Sequence, residues 1–181
     1  MPVPLPATES IDGVIAMENM EVKSTVDSEA IEMELLEFKL GEDSYGIEIE
    51  KVRELLKYQP VQKMPSTQAH MEGVICPRGE IFPVVNLAAY LHMPSSSASD
   101  RDIFIITDFN QTRIAFHVHR VVGIHHLSWS FIQKPETVYG CDEGVIIGIA
   151  KIEKRMIAII DFEKIISNVT PEAGLAASQT A

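Results

Sequence analysis

The strongest constraint on the fold comes from short segments in which apolar and polar residues alternate and which end at turn residues. The first two segments, MELLEFKL and SYGIEIE, flank a Gly-Glu-Asp-Ser turn that begins at Gly41. A second pair, GVIC and EIFPVVNL, flanks Arg78-Gly79. A period of two is the pattern of a strand with one buried face, and closely spaced turns join such strands into hairpins. The sequence therefore predicts a mainly β fold.

The rest of the chain continues this pattern. VRELLKY reads as a strand, DIFIITDFNQTRIAFHVHRVVGI reads as two strands across an Asn-Gln-Thr turn, and VIIGIAKI and RMIAIIDF flank Glu153-Lys154. Two short stretches favour helix because each begins with an N-capping side chain: NLAAYLHM at Asn86 and DFEKIISNV at Asp161. The apolar face of the second consists of Ile165, Ile166 and Val169. Many short strands with few helices predict an antiparallel barrel or sandwich.

Charge and composition divide the chain into three parts. Residues 1–37 hold nine acidic residues and one basic residue, a charge of −8 out of a total of −11. Residues 1–30 are rich in Pro, Glu, Ser and Thr, which predicts an acidic, disordered arm. A short helix near 13–20 stays open as an alternative. We expect one domain over 31–170, with a polar connector at 94–101 between two sub-barrels, and a flexible tail or linker over 171–181.

The same data restrict the location and the partners. An acidic arm repels phosphate, and no basic stripe is present, so neither nucleic acid nor an anionic membrane surface is expected as a partner. Cys76 and Cys141 are too few for a disulfide framework and are read as reduced thiols of a cytoplasmic protein. The sequence shows neither a signal peptide nor a stretch near the roughly 18 apolar residues of a membrane span.

Five residues are candidate metal ligands. His117 and His119 alternate and share one face of a strand, His125 and His126 follow closely, and Cys141 is the nearby thiol. Together they offer the donor atoms that zinc prefers. Their spacing fits no structural zinc pattern, and two histidines on one strand face are more often packed polar residues. The prediction is that they bind no metal.

Catalytic motifs are also missing from the sequence. Ser128 lies beside Trp129 rather than in a G-x-S-x-G elbow, and Cys76 has no basic neighbour that would activate it. The glycines at 140, 144 and 148 are spaced by four, unlike a phosphate-binding loop. We expect no enzyme and no cofactor.

One ordered set of motifs resembles a known family. GVICPRGEIFPVVNL is similar to the signature of CheW-like coupling domains, which is a Gly-Val strand, an Arg-Gly turn and a Pro-Val-hydrophobic-Asp-Leu strand. EFKLGEDSYGIEIEKVRELL before it and RMIAIIDFEKII after it match in the same order, over roughly 33–175. ITDFNQTRIAFHVHRVVGIHHLSW is more similar to the CheV branch. Three departures are Asn86 in place of Asp, His126 in place of Arg, and the lack of a receiver domain after Leu175.

The resemblance implies two small SH3-like antiparallel β-barrels with a hydrophobic groove between them and a short C-terminal helix. It also implies a non-catalytic adaptor that couples a chemoreceptor signalling tip to the regulatory domain of the CheA histidine kinase, in the cytoplasm at membrane-associated receptor arrays. By position, Val52 and Glu54 match the family's partner-contacting strand, and Gly73 and Arg78 match its hairpin. Two alternatives stay open: a CheW-like regulatory domain of a histidine kinase, and a His/Cys metal-binding protein.

Overall fold

The structure is a computed structural model that describes residues 33–65, 68–135 and 144–170, together with the backbone of Val14–Ile15 and Val22–Ser24. The strands in this part of the chain are β1 (Val14–Ile15), β2 (Val22–Ser24), β3 (Met33–Leu40), β4 (Asp43–Glu48), β5 (Val52–Lys57), β6 (Met71–Ile75), β7 (Phe82–Asn86), β8 (Ile103–Phe109), β9 (Thr112–Val118), β10 (Arg120–Leu127), β11 (Ile132–Gln133), β12 (Ile146–Ile152) and β13 (Arg155–Ile160). The helices are α1 (Leu87–Tyr90) and α2 (Phe162–Val169).

The strands form two sheets. The six-stranded sheet has the order β1-β5-β8-β9-β7-β6, and the seven-stranded sheet has the order β11-β12-β13-β4-β3-β10-β2. The predicted mainly β class and the short C-terminal helix are confirmed, and two sheets stand where the resemblance implied two barrels. Within the described strands neither order closes into a barrel, and three neighbouring pairs, β7–β9, β4–β13 and β2–β10, are parallel rather than antiparallel.

The chain crosses from one sheet to the other between β4 and β5. A single 3-10 turn at Ile49–Lys51 separates these strands, and β4 and β5 lie in different sheets. The pattern of SYGIEIEKVRELL predicted a strand on each side of this turn, but it did not predict the crossing.

Burial is concentrated in one central core with a smaller core in each sheet. The central core combines side chains from both sheets and α2, including Leu36, Phe38, Leu55, Phe116 and Phe162. The seven-stranded sheet has its own cluster, which consists of Met33, Leu35, Leu127, Ala150, Ile152, Ile157 and Ile159. The six-stranded sheet has another, which consists of Leu56, Ile75, Phe82, Val84, Phe104, Ile106 and Ala115. The two halves are therefore joined by shared apolar packing.

Local signals at turns and helix starts are confirmed. Asn86 Oδ1 accepts a hydrogen bond from the Ala89 amide at 2.9 Å, and Asp161 Oδ1 accepts one from the Lys164 amide at 3.1 Å. The β8–β9 turn places Asn110 at a φ of 49°, in the left-handed region. The apolar face of α2 is buried as predicted, at Ile165, Ile166 and Val169.

Two expectations about organisation are corrected. The connector at 94–101 lies between α1 and β8, and β7 and β8 belong to the same sheet, so it does not separate two sub-barrels. Within the arm over 1–30, the backbones of Val14–Ile15 and Val22–Ser24 are strands. The first of these strands lies in the segment 13–20, where a short helix was the alternative. The rest of the arm and the tail at 171–181 lie outside the described residues.

The described part of the chain contains no helix that is long and apolar enough to cross a membrane.

Candidate partner-binding surface

The hairpin that carries the predicted Arg-Gly turn connects β6 to β7. The turn is a 3-10 turn at Pro77–Gly79, and the Glu80 amide closes it by donating to the Pro77 carbonyl at 3.0 Å. Gly79 has a φ of 82°, as its role in the turn required, but Arg78 is also left-handed, with a φ of 53°. A left-handed residue other than glycine costs about 1 kcal/mol or more and is concentrated at functional sites.

The Arg78 side chain is held by Glu54. Arg78 Nη2 donates to both carboxylate oxygens of Glu54, at 2.9 and 2.7 Å. The Arg78 side chain is 45% exposed and that of Glu54 is 15% exposed. Three strands, β8, β9 and β7, separate β5 from β6 in the sheet. The ion pair therefore connects distant strands and brings two of the four predicted site residues together.

Gly73 has a steric role beneath this hairpin. It is buried with a φ of 145°, and a Cβ added there would lie 2.1 Å from the Gln62 carbonyl oxygen. Next to this contact, the Gln62 amide donates to the Val74 carbonyl and the Val74 amide donates to the Gln62 carbonyl, both at 2.9 Å. Only glycine allows the chain before β6 to approach β6 this closely.

Val52 lies at the start of β5 and is 8% exposed. Its side chain belongs to the central core, next to the 3-10 turn at which the chain changes sheets. Of the four predicted residues, Val52 and Gly73 are thus buried, whereas Arg78 and part of Glu54 face solvent. The direct partner-contact role of all four stays a prediction.

A second set of ion pairs holds the same turn from the other side. Arg113 Nη1 donates to Glu80 Oε2 at 3.1 Å, and Arg113 Nε donates to Asp108 Oδ2 at 3.2 Å. Arg53 Nη1 donates to the same Asp108 oxygen at 2.6 Å. Sequence reasoning missed this chain of charges. One signal was available, because a two-residue turn at 110–111 places Asp108 directly opposite Arg113.

A cavity of about 260 Å³ opens between the 3-10 turn after β4, the end of β8 and α2. Phe109, Phe162 and Ile166 supply its apolar wall, and Glu50, Lys51, Asp108 and Glu163 supply its charged wall. The hydrophobic groove that the resemblance implies stays a prediction.

The electrostatics of this opening are acidic. Lys51 Nζ lies 3.7 Å from Glu48 and 3.5 Å from Glu163 and is the cation nearest to them. Burial raises the pKa of Glu48; the charge of Lys51 opposes this shift, and the carboxylates of Glu50 and Glu163 add to it.

Asn86 occupies a place where the resemblance led us to expect Asp. Its Oδ1 caps α1, while its Nδ2 donates to Glu72 Oε1 at 3.1 Å. An aspartate here would face the Glu72 carboxylate with like charge and no donor. Asparagine rather than aspartate at position 86 is therefore suited to its neighbour Glu72, to which it donates a hydrogen bond.

The candidate metal ligands are engaged in other contacts. His117 Nδ1 lies 2.7 Å from Glu72 Oε2, and His117 Nε2 lies 2.7 Å from Asp102 Oδ2. His119 Nδ1 accepts from the Gly41 amide at 2.7 Å. A His117 ring between two carboxylates leaves neither nitrogen lone pair for a metal.

The other three candidates do not join this pair. His125 Nε2 lies 2.7 Å from Glu37 Oε2 inside the other sheet, and His126 Nδ1 lies 3.3 Å from Glu34 Oε1. Cys141 lies outside the described residues, and Cys76 is an exposed free thiol. Over 33–65, 68–135 and 144–170, no group of three or more His, Cys, Asp or Glu side chains is arranged to hold a metal ion.

Comparison with known proteins agrees with this architecture. A sequence model described as the CheW-like domain matches residues 34–170. The probable chemotaxis protein CheW of Rhizobium etli is 32% identical over 141 residues, which is 77% of this chain and 91% of that protein. The crystal structure of the scaffolding protein TtCheW from Thermoanaerobacter tengcongensis superposes with a TM-score of 0.67 at 29% identity, covering 71% of this chain and 88% of that one.

CheV proteins also match. The chemotaxis protein CheV3 of Helicobacter pylori is 27% identical over 162 residues, which is 83% of this chain but 52% of the longer relative. The chain is thus best described as CheW-like, with CheV proteins among its relatives. Because the family match spans well over half of its length and includes the Arg78 hairpin, this chain belongs to the CheW-like family.

Proposed function

We propose that this protein is a non-catalytic chemotaxis adaptor that couples chemoreceptors to the CheA histidine kinase. Its partners would be a chemoreceptor signalling tip and the regulatory domain of the kinase, and its place would be the cytoplasm at membrane-associated receptor arrays. The observation that carries the proposal is the family match over 34–170. It is supported by an exposed arginine at the signature hairpin that is held in a defined position.

The proposed partner surface is centred on Arg78 and Glu54. The half-exposed guanidinium of Arg78 is suited to a partner carboxylate, because Arg is a planar, multiply donating cation. Val52 and Gly73 support this surface by burial and by close packing rather than by offering large exposed areas. A partner that approaches the hairpin therefore meets a positioned charge at little further cost in side-chain ordering.

Replacing Arg78 tests the proposal. Arg78→Ala should weaken binding to at least one partner by about 1–2 kcal/mol, or roughly five- to thirtyfold. The free energy of unfolding should fall by about 1 kcal/mol or less, because the ion pair is partly exposed. Calorimetric titration against the kinase regulatory domain and the receptor tip measures binding, and denaturant unfolding measures stability. Arg120→Ala, an exposed arginine in the other sheet, is the matched control.

A double charge reversal separates binding from structure. Glu54→Arg with Arg78→Glu keeps an ion pair between the two positions but inverts the charge that faces a partner. If Arg78 contacts a partner carboxylate, the double variant should fold like the parent and still bind weakly. Full recovery of binding would mean that the pair acts only as an internal clamp. If Arg78→Ala binds both partners with unchanged affinity, the hairpin is not part of the partner surface.

A further inference from the structure

Two short segments of the acidic arm lie along the outer edges of the two sheets. Val14 and Ile15 pair antiparallel with Leu56 and Leu55 of β5. The segment Val22–Ser24 pairs in parallel with Ile124–His126 of β10. Without β1 and β2, β5 and β10 would be the terminal strands of their sheets. The arm therefore contributes the last strand at one edge of each sheet.

The strands beneath these segments are of the kind that pairs readily with other chains. Each presents a row of backbone N–H and C=O groups along its edge, which is a template for an added strand. β5 reads VRELLK and lacks both proline and glycine, two residues that interrupt such pairing. The side chains of Leu55 and Leu56 are already committed to the cores, at 0% and 2% exposure. An uncovered β5 edge at Leu55 and Leu56 would thus be a preformed pairing site.

The position of these segments in the chain favours pairing within one molecule. Eight residues, 25–32, separate β2 from β3, and β3 is the sheet neighbour of β10. A linker this short gives the tethered segment an effective concentration on the order of millimolar. An untethered strand from another copy at micromolar concentration competes poorly with it. The pairings themselves span only two and three residues, so they remain displaceable.

Charge acts in the same direction. The arm, residues 1–30, has six acidic residues and one basic residue. Its net charge is therefore negative, and a second copy that approaches with its own arm is repelled. Charged, short edge strands are a means by which proteins avoid edge-to-edge association.

We propose that the arm is an intramolecular edge cover: the segments 14–15 and 22–24 occupy the edges of β5 and β10 and thereby prevent strand pairing between copies of this chain. The cover is a function of the arm that is independent of receptor or kinase binding. The occupant of both edges is the chain's own arm.

Proline substitutions in the full-length chain test the cover. Proline removes the backbone N–H, and in an antiparallel pair only alternate residues use that group for the neighbouring strand. One of Val14→Pro and Ile15→Pro should therefore disrupt the pairing with β5, and the other should have little effect. Ser10→Pro, outside both paired segments, is the control. Amide exchange measured residue by residue by NMR should show about tenfold faster exchange at whichever amide of Leu55 and Leu56 points toward β1.

Sedimentation velocity on the same variants measures association. The variant with faster exchange should form dimers or larger species at concentrations at which the parent and Ser10→Pro sediment as monomers. If amide exchange is unchanged in both proline variants, the pairing of β1 with β5 is wrong. If exchange becomes faster but the protein stays monomeric, the arm does not protect against association. Loss of protection on diluting the parent would show that the arm pairs with a second copy, which also overturns the proposal.

Discussion

In the six-stranded sheet a buried histidine, His117, lies between two carboxylates, whereas in the seven-stranded sheet a buried carboxylate, Glu37, lies among three donors. The His117 ring nitrogens are each 2.7 Å from Glu72 or Asp102. Glu37 Oε1 accepts from Ser44 Oγ and Arg155 Nη1, both at 2.8 Å, and its Oε2 lies 2.7 Å from His125 Nε2. Both clusters thus contain a histidine beside a glutamate, but the central group is a histidine in one and a carboxylate in the other.

The two environments shift the pKa values of the central groups in opposite directions. Burial lowers the pKa of His117, but hydrogen bonds and charge from Glu72 and Asp102 outweigh burial and raise it above 6.5. Burial raises the pKa of Glu37, but hydrogen bonds from His125 and Ser44, with the charge of Arg155, outweigh burial and lower it below 4.5. A buried charge is tolerated in each sheet because its neighbours carry the opposite charge or donate to it.

Removing the central histidine should have the largest effect. His117→Ala leaves two carboxylates facing each other, with the Asp102 side chain only 4% exposed, and removes a ring that contacts Tyr58 and Phe104. We expect a loss of about 3–5 kcal/mol in the free energy of unfolding, measured in denaturant. His119→Ala, at a less buried histidine just after β9, is the control and should cost about 1 kcal/mol. Equal losses in both variants would contradict the role of the His117 cluster.

Removing the central carboxylate should have a smaller effect. Glu37→Ala takes away the acceptor of three groups, but the Arg155 side chain is 37% exposed and regains water. We expect a loss of about 2–3 kcal/mol, mainly from stranding the buried His125. Glu34→Ala, an exposed glutamate on the same strand, should change stability by about 0.5 kcal/mol or less. A Glu37→Ala variant as stable as Glu34→Ala would show that the cluster contributes nothing.

Changing pH should have the smallest effect on the free energy of unfolding. The two clusters should respond in opposite directions, one losing stability as pH rises and the other as pH falls. The contribution of His117 is complete below pH 6.5 and is lost as pH rises through its raised pKa. The contribution of Glu37 is complete above pH 4.5 and is lost as pH falls through its lowered pKa. Glu72, whose pKa is also lowered, adds to the loss in acid.

The alkaline loss is therefore the specific marker of His117. Unfolding free energies measured across this pH range should show it in the parent and not in His117→Gln. NMR titration of the His117 ring in the parent provides an independent check. A His117 that loses its proton below pH 6.5 would contradict the assignment.

Parts of the candidate site were predictable because their signals are local. The Arg-Gly turn was placed correctly between β6 and β7, since glycine and a polar residue between two alternating runs indicate a tight turn. His117 lies in β9 as predicted and its ring is 6.5 Å from that of His119, but His119 lies just after the end of this strand rather than on its face. What the His117 ring faces was not predictable, because Glu72 is 45 residues and Asp102 is 15 residues away from His117.

The ion pair at the hairpin shows the same limit. The resemblance matched Arg78 and Glu54 to two separate parts of the partner surface, and the structure pairs them with each other across 24 residues of sequence. No pattern of period two contains this contact, because β5 and β6 are not neighbours in the sheet. The requirement for glycine at position 73 likewise arises only from the approach of Gln62.

The sequence by itself determined most of the strands, their turns and the caps of both helices, because these depend on alternation, backbone freedom and hydrogen bonds over a few residues. It did not separate β10 from β9, and it did not predict β1, β2 or β11. The tertiary structure decided which sheet each strand joined. It moved the chain from one sheet to the other at Ile49–Lys51, and it kept both sides of the 94–101 connector in one sheet. It also decided the charge of each buried cluster, because a pKa depends on burial and on whichever side chains the fold brings within hydrogen-bonding distance.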